Sequence, residues 1–172
     1  MRLLLASVGA LGLIACSAEG AHQLAPTATP TPAPTASPVA ASGGCGSTAA
    51  VRGSIPAWLD DAGAHNNPRD VPYVIAHPPL AAGFLFANPL RAGHPENPAN
   101  KVLWVVRTRR TGSLTIDGHP LAAAIPAVHE TLSPNASPGE IYPSFVEVPS
   151  AGCWQFDLRW AGSHAQVELN FT

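Results

Sequence analysis

Methionine is almost missing from this 172-residue chain, Met1 being the only one. That excludes a copper(I) site built on soft thioether ligands. Lysine is as scarce, with Lys101 standing alone beside the arginines. Charge is sparse, at 12% of residues. From Cys16 onward the acidic residues outnumber the basic ones. The only cluster of one sign is the short Arg107-Thr-Arg-Arg110. This is no footprint for a nucleic acid, though the arginines suit an anionic polymer or a solvated strand end. Tyr73 and Tyr142 are the only tyrosines, and all four tryptophans read as core, so a carbohydrate platform of loop aromatics is not expected. Catalytic signatures are lacking too. There is no Gly-x-Ser-x-Gly, no His-Glu-x-x-His and no phosphate-binding glycine loop. A non-enzymatic protein is therefore expected. The enzymatic alternative is a hydrolase in which Asp117, His119 and a serine meet in space, since triads need not be local.

What the chain does have begins at its N-terminus. Arg2 supplies a positive charge, and the leucines 3–5, Val8, Leu11, Leu13 and Ile14 form an apolar run too short to span a bilayer. The run ends in Leu13-Ile14-Ala15-Cys16, which resembles the bacterial lipobox. In that motif the cysteine thiol takes a diacylglyceryl group. Residues 1–15 are thus expected to be a lipoprotein signal, with Cys16 the lipidated residue and the membrane a partner through that lipid. The other reading is an ordinary signal cut near Ala18.

Residues 16–44 change character. Pro26 to Pro38 is almost entirely proline, threonine, alanine and serine. Such a stretch buries too little surface to offset the entropy of folding. Its prolines favour a polyproline II rod, about 60–80 Å long when extended. The folded part is expected over residues 45–172, a common size for one domain.

Within that part, Ile55 to Gly63 is the one helix candidate, with Ser54 as cap, Pro56 in the first turn and Gly63 as stop. Strands are expected over 71–77, 83–88, 102–108, 114–117, 128–132 and 165–171. The run Val102 to Thr108 is apolar on both faces, as in a central strand. Two further extended runs lie in Glu140 to Trp160, where a Pro149-Ser-Ala-Gly152 turn suggests a hairpin. After it Trp154, Phe156, Leu158 and Trp160 fall on one side, and Cys153, Gln155, Asp157 and Arg159 on the wet side. About seven to eight short strands with proline-rich turns make an all-β sandwich.

With Cys16 used for lipid, Cys45 and Cys153 remain as an even pair. An exported protein meets an oxidising compartment, so a disulfide between them is expected. It would close a separation of 108 residues, worth about 4–5 kcal/mol in the chain-entropy model. Lying on the wet face, it would staple the entering segment across the outside or edge of a sheet. A metal site using the two thiolates lacks the usual close Cys or His spacing.

Phe86-Ala-Asn-Pro-Leu-Arg-Ala-Gly93, Asn100-Lys-Val-Leu-Trp-Val-Val-Arg107 and Gly139-Glu-Ile-Tyr-Pro-Ser to Gly152-Cys-Trp154 resemble a group of uncharacterised bacterial lipoproteins ending in a similar Tyr-Pro-Ser…Gly-Cys-Trp segment. The resemblance spans roughly residues 45–172. It implies an immunoglobulin-like sandwich on a lipid tether and no transferable activity or site residue.

Histidine is the one enriched reactive type. His65, His77, His94, His119, His129 and His164 all fall in the folded part. His77, His94 and His119 precede prolines, at strand ends or in loops, and a sandwich gathers its loops at two ends. Copper or zinc would accept such imidazoles, with Asp70 or Asp117 beside them. Against this, no pair has His-x-His or His-x-x-x-His spacing. The leading expectation is a monomeric, lipid-anchored, extracytoplasmic binding or interaction module of the cell envelope. Its partner would be an envelope protein or a cell-wall polymer, with no cofactor and no nucleic acid. A copper- or zinc-binding envelope protein is the alternative.

Overall fold

The structure is a computed structural model, and it describes residues 37–64, 70–93, 100–135 and 139–172. In chain order its elements are β1 (Val39–Ala41), β2 (Ala50–Arg52), α1 (Ala57–Asp61), β3 (Tyr73–Ile75), β4 (Ala81–Leu85) and β5 (Lys101–Val106). There follow β6 (Leu114–Pro120), β7 (Val128–Leu132), β8 (Ile141–Phe145), β9 (Gly152–Trp160) and β10 (Ser163–Phe171). They form an all-β sandwich of two antiparallel sheets. One has six strands in the order β1-β2-β3-β4-β5-β8, and the other has four, β10-β9-β6-β7.

The space between the sheets holds the main core. Trp104 from the six-stranded sheet meets Trp154, Phe156, Leu158, Val167, Leu169 and Phe171 from the other, all essentially closed to water. Burying each such side chain contributes about 1.5–3 kcal/mol. Trp104 also needs a partner for its indole N–H, which donates to Ser144 Oγ at 3.0 Å. Ser144 in turn donates to the Val102 carbonyl at 3.0 Å. The tryptophan thus packs without a disulfide beside it. Two glycines make room for the largest rings. Gly83 lies cross-strand from Trp104 and Gly118 from Phe156. A Cβ on either would stand 2.8 Å or 2.6 Å from the facing ring, inside van der Waals contact.

The six-stranded sheet is covered on its outer face as well. Leu59 of α1, Tyr73, Phe84, Val105 and Ile141 form a second buried cluster there, with Trp58 half-buried beside it. Hence β4 is buried at all five positions. The run expected at Val102 to Thr108 becomes an interior strand, between β4 and β8, as far as Val106; Arg107 and Thr108 lie beyond it and are exposed. The helix is shorter than its sequence span suggests. Pro56, not Ser54, stands at the cap position, without a side-chain cap bond. The Ser54 carbonyl instead accepts from the Tyr73 hydroxyl at 2.7 Å.

Three other details differ from expectation. The run from Glu140 to Trp160 is not a hairpin, since β8 pairs with β5 and β9 lies between β6 and β10. Between them Val146 and Val148 are buried. Those two anchors pull the connection through the core from one sheet to the other. Secondly, β6 runs on through Gly118 and His119 to Pro120, because Gly118 is needed under the Phe156 ring. Thirdly, the fold reaches back to Val39, within the stretch expected as linker, where β1 pairs with β2. Such short strands of small residues carry little pattern, and with them the strand count among the described residues is ten.

Candidate functional site

The outer face of the four-stranded sheet carries the chemistry. Alternation along β9 and β10 sends one set of side chains inward and leaves Gln155, Asp157, Arg159, His164, Gln166 and Glu168 on the other face. The register then sets them in rows. One row crosses all four strands as His129, Asp117, Asp157 and Gln166. The next holds Thr131, Thr115, Arg159 and His164.

Asp117 and Asp157 are directly opposed, an arrangement that repels unless each carboxylate is compensated. Each is. Asp117 accepts from the Arg159 guanidinium and contacts His129 Nδ1 at 2.5 Å. The hydrogen bond from His129 holds the Asp117 carboxyl below its usual range; partial burial opposes this, and Arg159 adds to it. Asp157 accepts from Gln166 Nε2 at 2.7 Å and faces His164 Nε2 at 3.4 Å. The carboxylates are mostly covered while the histidines and the guanidinium are half or more exposed. A visiting group therefore meets imidazole and guanidinium edges first, with two fixed negative charges beneath.

Cys45 and Cys153 are bonded, with Cα atoms 5.9 Å apart. The bridge lies on this outer face, as its strand position required. The entering segment runs along the free edge of β10. Cys45 N–H donates to the Glu168 carbonyl, Asn170 N–H to the Gly43 carbonyl, and Glu168 N–H to Thr48 Oγ1. The Glu168 carboxylate receives the Ser47 amide and hydroxyl.

The two described proline-preceding histidines, His77 and His119, do not converge. His94 and Cys16 lie outside the described residues, as does His65. His77 bridges Gln166 beyond the edge of β10. His119 sits on β6, nearly buried, with Nδ1 3.0 Å from the Pro120 carbonyl oxygen. Three strand spacings, about 14 Å in all, separate His77 from β6. That is too far for one metal, and among the described residues no group of three or more His, Cys, Asp or Glu is placed to hold one. Asp117 does find an imidazole, but it is His129, its cross-strand partner, rather than His119, two positions along the same strand. Of the arginine cluster, Arg107 lies over the Trp58 ring and Arg110 over Tyr142, donating to the Ile141 carbonyl. These two serve packing.

Sequence pattern alone does not group His129 and His164 with the two aspartates. The alternation of β9 and β10 does place Asp157 and Gln166 on wet faces. The missing step is the register of β6 between β7 and β9, which only the folded sheet supplies.

Neither a protein-family model nor a curated protein matches the chain. Among solved structures, a "Putative Lipoprotein from Bacillus anthracis" is similar, at 15% identity and a TM-score of 0.42, over 69% of this chain and 97% of that one. A likeness this loose carries no argument about function.

Proposed function

We propose that the protein is a lipid-anchored, extracytoplasmic, non-enzymatic binding module of the bacterial cell envelope, with the outer face of its four-stranded sheet as the binding surface. The lipobox-like Cys16 and the proline-rich stretch after it support the anchor and the tether. The disulfide supports an oxidising compartment.

One observation carries the choice of surface. The outer face of the large sheet is covered by its own apolar layer, whereas that of the small sheet is polar and open, with opposed aspartates framed by Arg159, His129 and His164. Its partner presents amides, hydroxyls or amines to these groups, as an envelope protein or cell-wall polymer does. His129, Arg159 and His164 are half or more exposed, so a partner reaches them without any rearrangement of the sheet.

A photo-crosslinking residue at Gln166 tests this in intact cells. The reading expects a discrete adduct that weakens when Asp157→Lys inverts the local charge. Adducts equal to those from a control at Arg109, or insensitive to Asp157→Lys, would contradict it.

A further inference from the structure

The antiparallel pairings make every strand run opposite to the one before it. In the large sheet β1, β3 and β5 therefore start, and β2, β4 and β8 stop, at one end. The short crossing from Phe145 to Gly152 and the bridge between Leu90 and Phe171 bring the starts of β7 and β9 to that same end. The chain enters β1 there. All the exposed large apolar side chains among the described residues gather at this end too: Val39, Phe86, Leu121, Ile125 and Phe145. Among those residues the opposite end has none.

Two features make this end more than a scatter of apolar residues. The β6–β7 loop, Leu121-Ala-Ala-Ala-Ile-Pro-Ala127, is exposed throughout and has no charged or polar side chain. It is held in place, since the Leu121 N–H donates to the Cys153 carbonyl at 2.8 Å, beside the disulfide that pins the entering chain. Across the sandwich, Lys101 pairs with Phe145 and sets its ammonium 4.8 Å from the centre of the Phe86 ring. Two exposed rings around one long cationic side chain suit a boundary between headgroups and acyl chains, where lysine reaches outward to water or phosphate.

We infer that this end of the sandwich is a docking surface for the lipid bilayer, with the β6–β7 loop and the Phe86–Lys101–Phe145 row entering the interface. The choice of a bilayer over a second copy rests on where the chain enters, and so on the anchor proposed for Cys16. The segment that carries this lipobox cysteine joins the domain at the same apolar end. A tether of about 60–80 Å at full extension would keep this surface within reach of the lipid, and so at raised local concentration. Exposed Arg52, Arg91 and Lys101 stand here against Asp70 and Glu147 among the described residues, so anionic headgroups help only modestly. Docking would lay the domain on the membrane with the loop end down and the binding face of the small sheet turned sideways, open to the envelope.

The test uses the full chain, purified from membranes and mixed with excess vesicles of phosphatidylglycerol and phosphatidylcholine. An environment-sensitive fluorophore is placed on Ile125→Cys, and in a second preparation on Thr111→Cys at the opposite end. Docking predicts a blue shift and quenching by lipid-borne quenchers at 125 but not at 111. It also predicts a weakening of vesicle partition of unlipidated chain by roughly tenfold or more in the Leu121→Ser/Ile125→Ser variant. An aqueous signal at 125 overturns docking, as do equal responses at both positions. A shift at 125 that follows protein concentration without vesicles overturns it in favour of self-association. Mass spectrometry of Cys16 reads the anchor separately. Flotation with an aqueous 125 leaves the anchor standing and removes docking; a blue-shifted 125 on a chain without lipid does the reverse.

Discussion

The two sheets differ in how many faces they bury. The six-stranded sheet is closed on both sides, by the main core and by the layer that α1 brings to its back. The four-stranded sheet is closed on one side and wet on the other. The large sheet therefore spends its sequence on packing, with β4 apolar at every position and even its nearby arginines drawn onto rings. In the small sheet every second residue of β9 and β10 is released from packing, and there the opposed carboxylates, histidines and Arg159 accumulate.

Replacements on the two outer faces should sharpen this contrast most. Phe84→Ala, on the back of the large sheet, should cost about 3–5 kcal/mol in denaturant unfolding. Gln155→Ala, on the back of the small one, should stay within about 0.5 kcal/mol. Comparable losses would mean that the small sheet's face is covered after all.

The disulfide comes next. It lies on the open face, where few apolar contacts assist it, and it spans 108 residues. Replacing Cys45 and Cys153 together with serine should lower stability by about 2–5 kcal/mol, largely by freeing the unfolded chain. An unchanged unfolding midpoint would contradict that.

The smallest effects are electrostatic, and they oppose each other on the two sides of the small sheet. Asp117, on the open side, is held below its usual range, first by His129. Its contribution is present at neutral pH and lost as pH falls through the lowered value. Asp117→Asn should thus lower Tm at neutral pH, with the difference vanishing in strong acid. Glu130 shares the core-facing side with its cross-strand partner Ile116, and burial raises its carboxyl above the usual range. It binds more protons folded than unfolded, so its ionisation lowers stability as pH rises. Glu130→Gln should raise Tm slightly at neutral pH and have no effect once Glu130 is protonated. Like-signed pH dependence for the two variants would break the assignment of faces.

Much of this fold was legible in the sequence where strands alternate strictly. The inward set Trp154, Phe156, Leu158, Trp160, the inward set Val167, Leu169, Phe171, the wet position of Cys153 and its partner Cys45 all follow from period two and cysteine arithmetic. The doubly buried run at β5 could be read from its continuous apolar character. The crossing at Val146 to Val148 could not, because a turn signal such as Pro-Ser-Ala-Gly serves an arch between sheets as well as a hairpin within one. The candidate site was half legible. Parity placed Asp157, Arg159 and Gln166 on the wet face, but only cross-strand register joins Asp117 to His129 and Asp157. Histidines beside prolines drew attention by their neighbours in sequence, while those at the site are neighbours only across strands.

The most direct test of the central claim is hydroxyl-radical footprinting of the protein in intact envelopes, compared with the purified protein. The account predicts protection of Gln155, Arg159, His164 and Gln166 on the small sheet, with Trp58 and Arg107 on the back of the large sheet unchanged. Protection over Trp58 and Arg107, or none on the small sheet, would contradict it.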